Sequence, residues 1–226
     1  IAWLILAPVV ALIWQAAQGS DGLWRHLAAY VLPHALGQTA MLMAGVGLSG
    51  VLGHFELRPP PFGILMLAVL VASFSFAFSR IGATLASLPL SWLIALQGFR
   101  LPLELVMHRA SVEGVMPVQM SYSGWNFDIA TGAAALILAP AVAKGLAPRW
   151  VIVAWNAVGA VLLANVVTIA FLSSPILRAF GSGPGEVNTF VAFFPYVWLP
   201  AALVSTALAF HVIVARALWR GSAPSA

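Results

Sequence analysis

Apolar residues run along this chain in long stretches, and polar residues interrupt them in short clusters. Such stretches lack the apolar/polar alternation of a membrane β-barrel strand. Their lengths approach the roughly 20 residues a helix needs to cross about 30 Å of hydrocarbon. The pattern predicts spans over residues 2–17, 35–53, 62–78, 82–98, 129–143, 150–172 and 189–218. The expected fold is all-α, a polytopic transmembrane helical bundle of about seven spans, with six to eight as its bounds. Residues 1–226 read as one integral membrane domain. Within it, residues 1–53 form an N-terminal hairpin with an interfacial segment, and residues 59–218 form the main bundle.

The interruptions have their own chemistry. Residues 23–34 carry Trp24, Arg25, His26 and Tyr30, a content suited to a helix lying along the headgroups. Gly45, Ser49 and Gly53 recur at i, i+4, i+8 and would let a second helix approach closely. Only Ser79, Arg80 and Ile81 separate two predicted spans, so those should turn tightly into an antiparallel pair. Residues 144–149 form a compact basic loop and residues 173–184 a Ser/Pro/Gly-rich one. Pro195 and Pro200 predict a kink in the last span.

Composition strengthens the membrane reading. The chain is 62% hydrophobic and 7% charged, against about 25% charged residues in an ordinary soluble domain. No cysteine is present, which excludes disulfides, thiolate metal sites and cysteine nucleophiles. The net charge of +4 comes from bases spread singly along the chain. No cluster follows a phosphate backbone, so nucleic acid is not an expected partner. With seven spans, Arg25, Arg80, Lys144, Arg149, Arg216 and Arg220 fall on one side and Arg58, Arg100, Arg109 and Arg178 on the other. The excess of bases favours a cytoplasmic C-terminus and an external N-terminus.

Polar residues concentrate in residues 97–131. If the fourth span continues as a helix through Pro102, Arg100, Glu104 and His108 share one stripe at i, i+4, i+8. Arg100 and Glu104 are then expected to pair, with His108 extending the ladder, either as an ion relay or as a neutralised pair at a helix end. Asn126 and Asp128 directly precede the fifth predicted span, where capping its N–H groups is the favoured role. The alternative places Asp128 in a polar cavity beside Arg100 or Glu104. Asn156 and Asn165 lie about two and a half turns apart and face opposite sides of one helix. Asn156, with Gly159 three residues on, is the better candidate for a close helix contact. His211, well inside the last span, is expected to hydrogen-bond a neighbouring helix. The candidate polar or substrate-binding centre is thus Arg100, Glu104, His108, Asn126, Asp128, Asn156 and His211. No P-loop, dinucleotide fingerprint, nucleophile elbow or metal-binding histidine spacing is present, so no catalytic residue, metal or cofactor is assigned.

Two resemblances follow from particular segments. LWRHLAAYVLPHALGQTAMLMAGVGLSGVLG, within residues 1–53, resembles the start of permease subunits of ferric-iron-type ABC importers. RASVEGVMPVQ at 109–119 echoes the coupling loop of such permeases, though GWNFD at 124–128 stands where they carry a Leu-Pro. Residues 59–218 are similar to a family of uncharacterised bacterial multi-pass membrane proteins. That similarity is carried by FRLPLEL at 99–105, EGVMPVQM at 113–120, GWNFDIATG at 124–132, Trp155-Asn156, Asn165, Asn188, FPYVWLP at 194–200 and His211.

These readings lead to a membrane protein of transport or channel type with a small buried polar centre, more in keeping with a non-enzyme. Its partners are the lipid bilayer and either other membrane subunits or further copies of itself. The rival readings are an intramembrane enzyme or haem/redox subunit using His108 and His211, and a divergent ABC permease, which implies an ATPase partner.

Overall fold

The computed structural model describes residues 32–183 and 185–221. The predicted span at 2–17 and most of the interfacial segment at 23–34 lie outside the described residues. Among the described residues the structure is helical, without a strand. The helices are α1 (Leu32–Leu48), α2 (Pro61–Phe78), α3 (Arg80–Leu85), α4 (Leu90–Leu96), α5 (Arg100–Val112), α6 (Ile129–Ala143), α7 (Arg149–Leu172) and α8 (Ser205–Trp219). Among the described residues, four helical stretches are long and apolar enough to cross a membrane: Pro61–Phe78, Leu90–Val112, Arg149–Leu172 and Leu199–Trp219. α6, with 15 residues, spans only about 22 Å at 1.5 Å per residue.

The boundaries expected at 62–78, 129–143 and 150–172 match α2, α6 and α7 closely. Two others are corrected. The span expected at 82–98 is replaced by the short α3 and then a helix over Leu90–Val112. Pro89 causes the break: it takes an extended conformation, φ −53° and ψ 131°, and its ring denies the residue before it a helical geometry. The new helix tightens into a 3₁₀ turn over Gln97–Phe99, where the ring of Pro102 would meet the carbonyl of Gly98. The last span, expected from 189, begins at Leu199. Pro195 precedes it, and Pro200 sits in its first turn, a π-helical segment over Leu199–Val204, where a missing N–H costs nothing.

The chain divides into two compact units, one of residues Ile1–Leu85 with Val191–Ser205, the other of Ala86–Phe190 with Thr206–Ala226. In the first unit, Leu52, Ala192 and Val197 are buried, and Met43, Phe55, Phe62 and Trp198 pack on them. Gly47 lets α1 meet backbone, since a Cβ there would sit 2.8 Å from the Phe194 nitrogen. The tight turn expected at Ser79 is present: its hydroxyl accepts the N–H groups of Ile81 and Gly82, both at 3.2 Å. That turn leads into α3 and not into a span.

In the second unit, α6 buries Thr131, Gly132, Ala135, Leu138, Ala139 and Val142, a stripe at helical spacing. Its small residues bring it close to the 97–101 region. A Cβ on Gly132 would collide with the backbone of Arg100 and Leu101, and one on Gly98 would overlap the Leu136 side chain. Leu93, Ile94, Ile152, Ile213 and Val214 complete the apolar interior. Large apolar side chains such as Ile137 and Val161 remain exposed, as expected of surfaces that meet lipid.

A buried charge and hydrogen-bond centre

Arg100 is the largest fully buried side chain of the described residues, 1% exposed. The close approach of α6 at Gly132 sets it beside Asp128. Its Nε donates to Asp128 Oδ2 at 2.6 Å, and its Nη2 donates to Asp128 Oδ1. This bidentate fork matches the planar guanidinium to a carboxylate, the geometry in which such pairs are strongest. The remaining arm, Nη1, lies 2.6 Å from His211 Nε2.

That contact fixes the histidine. A guanidinium can only donate, so His211 Nε2 accepts and the ring proton sits on Nδ1. Nδ1 donates to Asn156 Oδ1 at 2.9 Å, and Asn156 Nδ2 donates to the His211 carbonyl at 3.2 Å. Asn156 thus holds His211 by ring and backbone together. Gly159, one turn along α7, makes room for the imidazole: a Cβ there would lie 2.6 Å from His211 Cε1 and 2.7 Å from Thr131 Cγ2. The Trp155 indole donates to the Thr131 carbonyl at 3.2 Å.

On the other side of Asp128 the network continues through Asn126. Its Oδ1 accepts the Asp128 backbone N–H at 3.0 Å. Its Nδ2 donates to Glu104 Oε2 at 2.9 Å and to the Met120 carbonyl at 3.0 Å. One cation and two carboxyl groups therefore share a single buried cluster, built from α5, α7, α8 and the segment leading into α6.

Six of the seven candidate residues come together here: Arg100, Glu104, Asn126, Asp128, Asn156 and His211. Three details differ from the sequence reading. Arg100 forms its ion pair with Asp128 and not with Glu104, because Asp128 presents both oxygens to the guanidinium fork while Asn126 engages Glu104. Asp128 occupies the N-cap position of α6, but its carboxylate makes no capping bond; Arg100 holds it instead, which is the alternative the sequence left open and not the favoured capping role. His108 does not extend the ladder. Half-buried nearer the end of α5, it bonds Ser121 Oγ at 3.0 Å and stacks on Tyr122 at 4.3 Å between ring centroids.

His108 and His211 thus serve different partners, and both ring nitrogens of His211 are engaged within the protein. The pairing of these two histidines around a haem is therefore not the arrangement observed. Among the described residues, no group of three or more His, Asp and Glu side chains is placed to hold a metal.

Several buried polar residues escaped the sequence reading. Gln97 donates to the Ala207 carbonyl at 3.1 Å, and its spacing of three from Arg100 on the same stripe was the available signal. Gln119 donates to Ser173 Oγ at 3.1 Å and to the Glu186 carbonyl at 2.7 Å. Nothing in its local spacing marks it, since both partners lie far along the chain.

Among the described residues, fold and site together define a helical protein with four helices long and apolar enough to cross a membrane and a buried, charge-bearing hydrogen-bond network. Among known proteins, no family model, no curated protein and no solved structure matches the chain.

Proposed function

We propose that this is a multi-pass bacterial inner-membrane protein of transport or channel type that carries protons across the membrane through the Arg100–Asp128–Glu104 centre. One observation carries the reading. A hydrogen-bonded network runs from Asn156 through His211 and Arg100 to the Asp128 carboxylate, and the Asp128 backbone N–H carries it on through Asn126 to Glu104. Ionisable groups in apolar helices are costly to keep, and in membrane proteins they mark ion and proton pathways. One carboxylate paired with the guanidinium and a second carboxyl group held by an amide place two proton-accepting groups in one buried cluster.

Seven crossings follow if the span expected at 2–17, α1 and the short α6 join the four long helical stretches. In that arrangement Lys144, Arg149, Arg216 and Arg220 lie on the cytoplasmic side with the C-terminus, in keeping with the positive-inside rule.

The test is proton flux into proteoliposomes with a trapped pH-sensitive dye. Wild-type vesicles should dissipate an imposed gradient faster than empty ones, and E104Q and D128N should each abolish the difference. Wild-type flux equal to that of empty vesicles would overturn the proposal. A second reading, favoured by the complete pairing of Arg100, is that the network only locks the helices together. Flux above empty vesicles that both variants retain would support it.

A further inference from the structure

Arg149 opens α7, and its Nη2 donates to the carbonyl of Leu218 near the end of α8. The start of α7 and the end of α8 therefore lie at one end of the second unit, joined there by the 144–148 loop from α6. Lys144, Arg149, Arg216 and Arg220 gather at this end, and no Asp or Glu occurs in residues 129–185 or 187–226. Between the two helices opens a cavity of about 530 Å³, walled by Val153 and Ala157 from α7 and by Ala215 and Trp219 from α8, with Arg149 and Asn156 also lining it. The α7 residues at 149, 153 and 157 follow one another a turn apart, so the groove runs about 12 Å along the helix from Arg149. Trp219 and Trp150 are 91% and 71% exposed at the same end, the placement of aromatic anchors at a membrane interface.

We propose that this groove binds one anionic glycerophospholipid. An acyl chain lies along Val153, Ala157 and Ala215, and the phosphate meets Arg149 within the positive field of Lys144, Arg216 and Arg220. Basic pockets between transmembrane helices on the cytoplasmic side select such headgroups by charge. A zwitterionic lipid brings its own cation into that field and gains less. The five N–H donors of a guanidinium allow Arg149 to serve the Leu218 carbonyl and a phosphate together. This inference does not depend on the transport reading.

The test is native mass spectrometry of the full, delipidated chain titrated with phosphatidylglycerol, phosphatidylcholine or inorganic phosphate. One phosphatidylglycerol should be retained with about tenfold or greater preference over phosphatidylcholine, and inorganic phosphate should not displace it. A157W and A215W fill the groove at exposed positions and leave every base in place; each should remove the preference. R149K should keep it, and R149Q should reduce it. Equal retention of the two lipids overturns the proposal, and so does displacement by phosphate alone. A preference that survives A157W does the same. A groove already covered by another part of the chain or by a second copy would retain neither lipid, which also overturns it.

Discussion

Replacing Asp128 with alanine strands the Arg100 guanidinium in the interior. Arg100 is 1% exposed and Asp128 is 4% exposed, so water cannot take over the two donors that the carboxylate now satisfies. Removing one partner of a buried ion pair costs about 3–5 kcal/mol, roughly a few hundred- to a few thousandfold in the folding equilibrium. The loss is electrostatic, because the backbone N–H of residue 128 keeps its bond to Asn126 in the variant. Removing both charges with shape-matched apolar residues, R100M with D128L, should restore most of that stability, since such replacements are commonly neutral or better. A double-mutant cycle measured by equilibrium unfolding in mild detergent, followed by tryptophan fluorescence, reads the coupling directly. A cost for D128A below about 1 kcal/mol, or a double variant as unstable as the sum of the singles, would refute the reasoning.

G159A adds a methyl 2.6 Å from His211 Cε1, against a ring held by both Asn156 and Arg100. It should cost about 1–3 kcal/mol by overpacking, seen as a lowered unfolding midpoint, while G45A in α1, where an added Cβ meets nothing within 4 Å, serves as a control for glycine loss. N126L removes the shared partner of Glu104, the Met120 carbonyl and the Asp128 N–H. At about 1–3 kcal/mol for a stranded buried group, its unfolding free energy should fall by at least the lower figure. H108A loses a half-buried bond to Ser121 and the Tyr122 stack, so it should cost about 1 kcal/mol or less and leave vesicle proton flux unchanged.

The centre's membership was largely legible in the sequence because ionisable residues are scarce in an apolar chain, and each must find a partner. Its pairing was not. Arg100 and Glu104 satisfy the i, i+4 rule, yet an exposed pair, Arg109 with Glu113 at 2.7 Å, is where that rule operates. For Arg100, the approach of α6 at Gly132 brings a carboxylate from 28 residues away, and local spacing carries no trace of it. His108 shares the stripe by periodicity, but it lies two turns further toward the end of α5, where Ser121 and Tyr122 meet it. Span boundaries failed where proline acted within apolar sequence. Pro89 breaks a stretch whose hydrophobicity is continuous, and Pro200 starts a helix that composition alone would extend back past Pro195. Gln119 was hidden because its partners come from the loop after α7.

In the proposed function, the buried carboxyl groups around Arg100 carry protons across the membrane. The direct measurement is dye-reported proton flux in proteoliposomes for wild type, E104Q and H108A, each verified as folded before reconstitution. Flux should exceed that of empty vesicles for wild type and H108A and stay at the empty-vesicle level for E104Q. Equal flux in folded E104Q and wild type would contradict it.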